Sequence, residues 1–269
     1  MKLNSLLHQL PLLGAVAAMV YTPTVCAQEL HIYGSVIETK FSGKGGGSDT
    51  LAAPSGMDAS IASIVARERG DDPCHLEVTF HDVNSNAPVH TARFTECANS
   101  GNKRDGKKSS EKRIAGSPTL YADFWAVGAR VCHNKAGDKV KGLALIFRRK
   151  SCVLGEPDFR VTPSSTSHGK SGGHEFTLHS DATTKTYTCN DPQAESTKWF
   201  ERTNCTGGFG LPDSDWKREV RCPDGRVAVG LVLSTRDGGG DRTMIDGVAV
   251  QCQRVDEVPT GGAWAVRPE

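Results

Sequence analysis

After residue 27 the sequence lacks any apolar run near the roughly 20 residues that a membrane-spanning helix needs. It also lacks an excess of either charge, since 32 lysines and arginines face 31 aspartates and glutamates. A near-neutral chain generates no global field that would draw it to nucleic acid or to an anionic membrane. The chain after residue 27 is therefore expected to be soluble, with no transmembrane segment and no nucleic-acid partner.

Aromatic residues make up only 6% of the chain and helix-favouring runs are scarce, whereas glycine is abundant at 29 residues. Short β-branched segments recur between turn residues, which favours an all-β protein. One exception is residues 57–69, where Asp58 is a candidate cap and Ile61, Ile64 and Val65 form a short apolar stripe. This segment is predicted to be a helix.

The first 27 residues have the composition of a secretory signal peptide. Lys2 precedes an apolar stretch at 10–20, and Val25-Cys26-Ala27 suits cleavage before Gln28. A lipid anchor on Cys26 is the alternative. Cleavage removes one of nine cysteines and leaves eight, an even number that can all pair in an oxidising compartment. The protein is predicted to be secreted or periplasmic.

The eight remaining cysteines fall into four successive couples: Cys74 and Cys97, Cys132 and Cys152, Cys189 and Cys205, and Cys222 and Cys252. Many connectivities are possible, but each couple brackets a stretch that can form a hairpin, which favours pairing in sequence order. In the first hairpin a turn at 84–88 would place Phe80 opposite Ala92 and Val78 opposite Phe94. The Cys222–Cys252 bridge is expected to be the most clearly local.

A cysteine-ended strand followed by Gly-Leu-x-Leu occurs twice, within residues 129–145 and 219–233, and suggests two related β units. The predicted organisation is a signal peptide at 1–27, an N-terminal β unit at 28–154, a linker at 155–175, a C-terminal β unit at 176–256 and a tail at 257–269. The predicted fold is a set of disulfide-stapled antiparallel sheets, β-prism or sandwich-like.

Two stretches are predicted to be loops. Residues 43–56 are rich in glycine, and residues 103–113 carry a run of basic side chains. The basic stretch is interpreted as a solvated loop, with a patch that binds polyanions as the alternative.

The histidines after residue 27 lie in no pattern that marks a zinc site, and the sequence predicts no metal and no cofactor. His75, His81 and His90 belong to the first hairpin. Those in the serine-rich stretch around 162–180 have no nucleophile-elbow motif beside them. No catalytic residue is assigned, although a secreted hydrolase that uses this stretch remains an alternative.

Ligand-binding residues are predicted at two kinds of position. Trp125, Trp199 and Trp216 lie next to cysteine-bounded segments, where an exposed indole would offer a stacking platform for a sugar; burial in a β core is the competing interpretation. Asp241 and Arg242 belong to a glycine-rich hairpin tip, which either binds a ligand, such as calcium through carboxylate oxygens, or forms a local ion pair.

The segment from Arg221-Cys222-Pro223-Asp224-Gly225 through Val229-Gly230-Leu231 to Val250-Gln251-Cys252 resembles the cysteine-bounded β repeats of vitelline membrane outer layer protein and dermatopontin. The resemblance covers residues 221–252. The first family implies a β-prism and association with carbohydrate, and the second implies adhesion in the extracellular matrix.

These observations predict a secreted, non-catalytic recognition protein that binds a glycan or an extracellular protein. The alternatives are a secreted hydrolase and an inhibitor of a foreign enzyme.

Overall fold

The computed structural model describes residues 28–45, 47–69, 72–95, 111–115, 118–133, 140–161, 184–201, 216–237 and 243–259. The predicted signal peptide, the serine-rich stretch at 162–180, the basic stretch up to residue 110, and Cys97, Cys205, Asp241 and Arg242 lie outside these residues. The side chains of Cys74 and Trp199 do so too.

Strands dominate the described residues. In the first half they are β1 (Gln28–Glu38), β2 (Ser42–Gly43), β3 (Gly47–Ala52), β4 (Ala59–Arg69), β5 (Asp72–Asp82), β6 (Pro88–Thr95) and β7 (Glu111–Ala115). The second half contains β8 (Phe124–His133), β9 (Val140–Arg149), β10 (Asp158–Val161), β11 (Lys185–Thr188), β12 (Glu195–Glu201), β13 (Val220–Arg221), β14 (Arg226–Asp237) and β15 (Thr243–Pro259). The helical elements are short: α1 (Pro118–Asp123), α2 (Lys150–Val153) and a 3-10 turn (Pro192–Ala194). No helix in this part of the chain is long and apolar enough to cross a bilayer.

The described strands form three larger antiparallel sheets and one small ribbon. Sheet 1 has the order β1-β15-β14-β3, with β2 also paired to β15; sheet 2 is β6-β5-β4-β7; sheet 3 is β12-β9-β8-β13; β10 and β11 form the ribbon. Apolar side chains from all three sheets, among them Ile64, Leu145 and Leu231, pack into one buried cluster. The predicted disulfide-stapled antiparallel fold is confirmed, with three sheets around a shared core as in a β-prism.

Strand β1 is fixed on both sides. On one side it pairs with β15, from Gln28 opposite Pro259 to Glu38 opposite Gln251. On the other side two side chains replace a neighbouring strand. Asn84 accepts from the Leu30 N–H at 2.8 Å and donates to the Leu30 carbonyl at 2.9 Å, and Asp58 accepts from the backbone N–H of Ile32 at 2.5 Å.

The predicted helix at 57–69 is wrong, because residues 59–69 form β4. This strand is hydrogen-bonded to β5 on one edge and to β7 on the other. It is buried on both faces, and a bulge between Ile61 and Ser63 shifts its alternation. Ile61, Ile64 and Val65 are therefore all buried at a spacing that imitates a helical stripe.

The first hairpin forms as predicted, but its register is wrong by two residues. Ala92 lies opposite Val78, and Phe94 lies opposite Leu76. Asn86, with φ of 58°, supplies the left-handed residue of the turn. A slip of two residues leaves every side chain on its original face, so the apolar pattern alone does not distinguish the two registers.

Pairing of the cysteines in sequence order is confirmed for Cys222–Cys252 and wrong for two other couples. Cys152 is bonded to Cys189 instead, with Cα atoms 5.5 Å apart. Cys132 lies opposite Gly142 in the β8–β9 hairpin. Cys152 is ten residues further along the chain, and at about 3.3 Å per residue the strand carries it beyond reach of Cys132. Cys132 is itself disulfide-bonded.

Some stretches predicted to be loops form strands. Residues 158–161 of the predicted linker pair with β11. Within the glycine-rich stretch, Gly43 pairs with β15 and residues 47–52 pair with β14. Sheet 1 takes strands from both predicted β units, since β1 and β3 join β14 and β15. The division into two units stays a prediction.

Candidate functional site

A polar cleft of about 430 Å³ lies at one end of sheet 1, where β1 and β15 meet the end of β9 and α2. Its polar walls are Tyr33, Arg148, Glu156, Asp224, Arg254 and Asp256, and Val153, Leu154 and Val255 line the apolar part. Positively charged hydrogen-bond donors and negatively charged acceptors therefore line the same cleft.

The strand register explains why these side chains meet. Tyr33 of β1 lies opposite Arg254 of β15, and Arg254 lies opposite Arg226 of β14. One row of three strands thus carries a phenol and two guanidinium groups on one face. Asp256 is two residues beyond Arg254 and shares that face, because side chains alternate along a strand.

Tyr33 and Asp256 form a direct hydrogen bond in the cleft. The Tyr33 hydroxyl donates to Asp256 Oδ2 at 2.5 Å. The pKa of Tyr33 is raised, first by this hydrogen bond and then by burial, although Arg254 acts in the opposite direction. The phenol therefore stays protonated and holds the carboxylate in place, while the Tyr33 side chain remains 40% exposed.

Arg148, from the end of β9, forms another wall of the cleft. Its Nη1 lies 3.5 Å from Asp224 Oδ1, a long contact with a fully exposed carboxylate (100% of the side chain). Its Nε is buried and has no hydrogen-bond acceptor among the described residues. Arg148 therefore keeps a buried N–H donor that no described residue uses.

Two disulfides brace the cleft. Cys152–Cys189 ties α2 to the end of β11, and Cys222–Cys252 ties the turn at 223–225 to β15. Gly225, with φ of 70°, closes this turn and accepts a hydrogen bond from the Val255 N–H at 3.2 Å. The walls are thus fixed before a ligand arrives, which limits the entropy lost on binding.

An arginine between two aromatic rings supports the same end of the molecule. The Arg149 guanidinium lies 4.7 Å from the Phe124 ring centroid and 4.4 Å from that of Phe159. Phe159 in turn stacks on Tyr187 at 5.6 Å. These contacts join β9 to the β10–β11 ribbon. Cys189 is the residue directly after β11.

The structure corrects the predicted platform role of two tryptophans. Trp125 is 3% exposed and packs in a core cluster with Val127 and Ile146. Trp216 is 5% exposed and packs against Cys132 and Ala144. A ring buried to this extent offers no face to a sugar, so the competing interpretation, burial in the β core, applies to both.

The outcome for the other predicted site residues is not described by the structure. The side chains of Trp199, Asp241 and Arg242 lie outside the described residues. His81 packs against Tyr121 with ring centroids 4.6 Å apart, and its pKa is lowered by burial. His75 Nδ1 bonds with the Thr95 hydroxyl at 2.9 Å. Within the described residues no three histidine, cysteine or acidic side chains converge as metal ligands.

The cleft residues were missed from the sequence because they come from four distant stretches without a local motif. The resemblance at 221–225 included Asp224 and Gly225, but nothing there indicated that Arg148 and Tyr33 would lie nearby. The pairing of β1 with β15 places Tyr33 beside Arg254, and the end of β9 adds Arg148.

No protein-family model matches the chain, and no curated protein matches it. Solved structures do. Malaysian banana lectin has 13% identity and a TM-score of 0.34, over 82% of this chain and 99% of the lectin. Calystegia sepium agglutinin has 9% identity and a TM-score of 0.33, over 82% and 99% of the two chains. A mannose-binding jacalin-related lectin from Ananas comosus has 12% identity and a TM-score of 0.34, over 81% and 98%.

These three structures are lectins, and they belong to neither of the two families that residues 221–252 resemble. At such identities and TM-scores the likeness says nothing about what this chain binds. The function of this chain therefore has to be argued from its own cleft.

Proposed function

We propose that this protein is a secreted, non-catalytic recognition protein that binds a glycan in the cleft between β1, β15 and α2. The observation that carries the proposal is the convergence of Tyr33, Arg148, Arg254 and Asp256 on one concave volume. Binding sites typically combine a concave surface with a few well-placed polar groups.

The chemistry of the wall suits a polyhydroxylated ligand. A sugar hydroxyl both donates and accepts, so a ring that carries several of them fits alternating carboxylates and guanidinium groups. The half-exposed phenol of Tyr33 adds an apolar face with a polar tip, which is the kind of surface on which sugar rings stack. Asp256 and Glu156 would accept hydrogen bonds, while Arg148 and Arg254 would donate them.

The hairpin tip with Asp241 and Arg242 is proposed as a second contact region, together with Trp199. It belongs to the opposite end of the β14–β15 hairpin, since Arg226 pairs with Arg254 at one end and Asp237 with Thr243 at the other. The ion pair between Arg236 and Asp246, at 2.5 Å, stiffens the base of this tip. About ten residues at about 3.3 Å each separate the two ends, so one small ligand does not span both.

The experiment is a glycan array with the full exported protein, followed by calorimetry on the best ligand. Asp256→Asn and Tyr33→Ala should each lower affinity by about tenfold, since each removes contacts of roughly 1.4 kcal/mol. Asp49→Asn, an exposed carboxylate on β3, is the matched control and should bind as the wild type does.

Two results would reject the proposal. One is an array without any bound glycan, and the other is unchanged affinity in both cleft variants. A panel of ester, peptide and glycoside substrates is run in parallel, because turnover of any of them would favour the hydrolase that the stretch at 162–180 suggests. Tight inhibition of an added enzyme would favour the inhibitor.

A further inference from the structure

A second, smaller cavity of about 90 Å³ adjoins the cleft and shares Arg148 with it. We name it the arginine chamber, because its polar walls are Arg148, Arg221, Arg226 and Asp224. At roughly 30 Å³ per water, its volume corresponds to about three waters, which is enough for one compact charged group.

Two of the three arginines in the chamber, Arg148 and Arg226, are not fully neutralised by acidic side chains among the described residues. Three guanidinium groups face a single carboxylate, that of Asp224, which is itself fully exposed to solvent. Arg226 Nη1 donates to a neutral acceptor, the Ser35 carbonyl, at 3.1 Å, and no acidic side chain among the described residues pairs with it. Only Arg221 is fully paired, through Glu195 and Glu219, neither of which lines the chamber.

The strand register adds a further positive group beside the chamber. Arg226 and Arg254 lie directly opposite each other on β14 and β15. Like charges in that position repel and destabilise a sheet. A bound anion would relieve this repulsion. It would also supply a hydrogen-bond acceptor for the buried Arg148 Nε, which has none among the described residues.

We propose that the arginine chamber binds the anionic substituent, a sulfate ester or a carboxylate, of an acidic glycan whose ring occupies the cleft. This inference rests on glycan binding in the cleft. Arg148 belongs to both cavities, so a single sugar with a charged substituent can fill them together. Guanidinium groups recognise planar or tetrahedral oxyanions through paired N–H donors, which makes arginine better suited than lysine to this role.

The test compares acidic glycans with their uncharged counterparts on one array, at low salt, with the exported full-length protein. Sulfated or uronate-containing glycans should bind about tenfold or more tightly than matched neutral glycans. Arg148→Gln and Arg226→Gln should each remove this preference. Arg148→Lys should restore it only in part, because lysine keeps the charge and loses the paired donors.

Arg93→Gln is the matched control, since Arg93 is an exposed arginine of β6 that pairs with Glu77 away from the cleft. Arg93→Gln should keep the preference for acidic glycans. This result would show that the effect of the other variants comes from the chamber and not from the general loss of one positive charge. Thermal melts confirm that every variant is folded. Equal binding of acidic and neutral glycans by the wild type would overturn the inference and leave the proposed function standing.

A second measurement separates the two proposals when no glycan binds. Inorganic sulfate, with inorganic phosphate in a parallel titration, is added to ¹⁵N-labelled protein, and the arginine Nε–Hε resonances are followed. Shifts of Arg148 and Arg226 that are absent in the glutamine variants would support an anion site although the glycan function had failed. A response to phosphate alone would overturn the sulfate and carboxylate assignment. If neither ion shifts these resonances, the proposal that the chamber binds an anion is wrong.

Discussion

The ammonium group of Lys150 lies 5.1 Å from the centroid of the Trp125 ring. The lysine covers the outer face of an indole whose remaining surface is buried, so the two residues close one edge of the core beside Val83. Trp125→Ala should lower the free energy of unfolding by about 3–5 kcal/mol, because it empties a large buried volume. Denaturant unfolding measures this loss, and Val89→Ala, at an exposed valine, is the control. Unchanged stability would contradict the burial.

Lys150 should make stability depend on alkaline pH. Burial lowers its pKa from 10.5 to about 8, while Asp123 and Asp82 partly oppose the shift. Its Nζ donates to Asn86 Oδ1 at 2.7 Å. Between these two pKa values the unfolded chain binds more protons than the folded protein, so stability contributed by this group rises as pH increases from about 8 to 10.5. Below pH 8 the cost of burying the charge is fully present.

Lys150→Met removes this titration, so the difference in stability between wild type and variant should change with pH above 8. Denaturant titrations at intervals from pH 7 to 10 measure that difference. Because Tyr33 titrates in both proteins, its contribution cancels. A difference that stays constant across this range would contradict the lowered pKa.

The disulfides should be recovered as Cys152–Cys189 and Cys222–Cys252 in peptides mapped without reduction. Replacement of both Cys152 and Cys189 by serine should lower stability by about 2–4 kcal/mol, in the range typical for a bridge of this loop length. The same change should weaken ligand binding, since α2 forms a wall of the cleft. A peptide that joins Cys132 to Cys152 would contradict the structure.

Gly128 should tolerate no side chain. A Cβ at this position would lie 2.5 Å from the Val220 carbonyl oxygen and 3.3 Å from Arg221 Cγ. Gly128→Ala should therefore push β13 away from β8 and cost about 1–3 kcal/mol, as overpacking usually does. Gly45→Ala is the control, because its nearest neighbour is the movable Phe41 ring at 3.3 Å. Equal stability of the two variants would be inconsistent with the close approach.

The exported protein should begin at Gln28. Amino-terminal sequencing of purified material reads this directly, and a start at Met1 would refute the signal peptide. A lipid on Cys26, detected by mass spectrometry, would select the anchored alternative.

The all-β class could be predicted because Leu76, Val78 and Phe80 alternate with polar residues in β5 and are all buried. The central strand β4 could not be, since burial on both faces and a bulge erase the period of two. Cys222 comes just before β14, and the turn at 223–225 carries it back to Cys252 on the paired strand β15. Cys152 and Cys189 are joined across sheet and ribbon, a relationship that no local pattern contains.

The candidate site was harder to predict for a related reason. The sequence around Trp125 is compatible with a buried or an exposed side chain. Which of the two occurs depends on how the three sheets pack. Tyr33 and Arg254 are far apart in sequence and become neighbours because β1 pairs with β15 in the register that places them opposite each other. What a sequence shows locally is the alternation of a strand, whereas a site built across strands depends on which strands pair.

The pairing of β1 with β15 also determines when this protein is able to fold. Among the described strands, β1 comes first along the chain and pairs only with β15, at residues 251–259, so sheet 1 cannot close until those residues have been made. Contacts of such long sequence separation are slow to form, and the apolar side chains of Leu30 and Ile32 stay uncovered in the meantime. A chain that ends before residue 251 should therefore fail to form sheet 1, even if sheets 2 and 3 form normally.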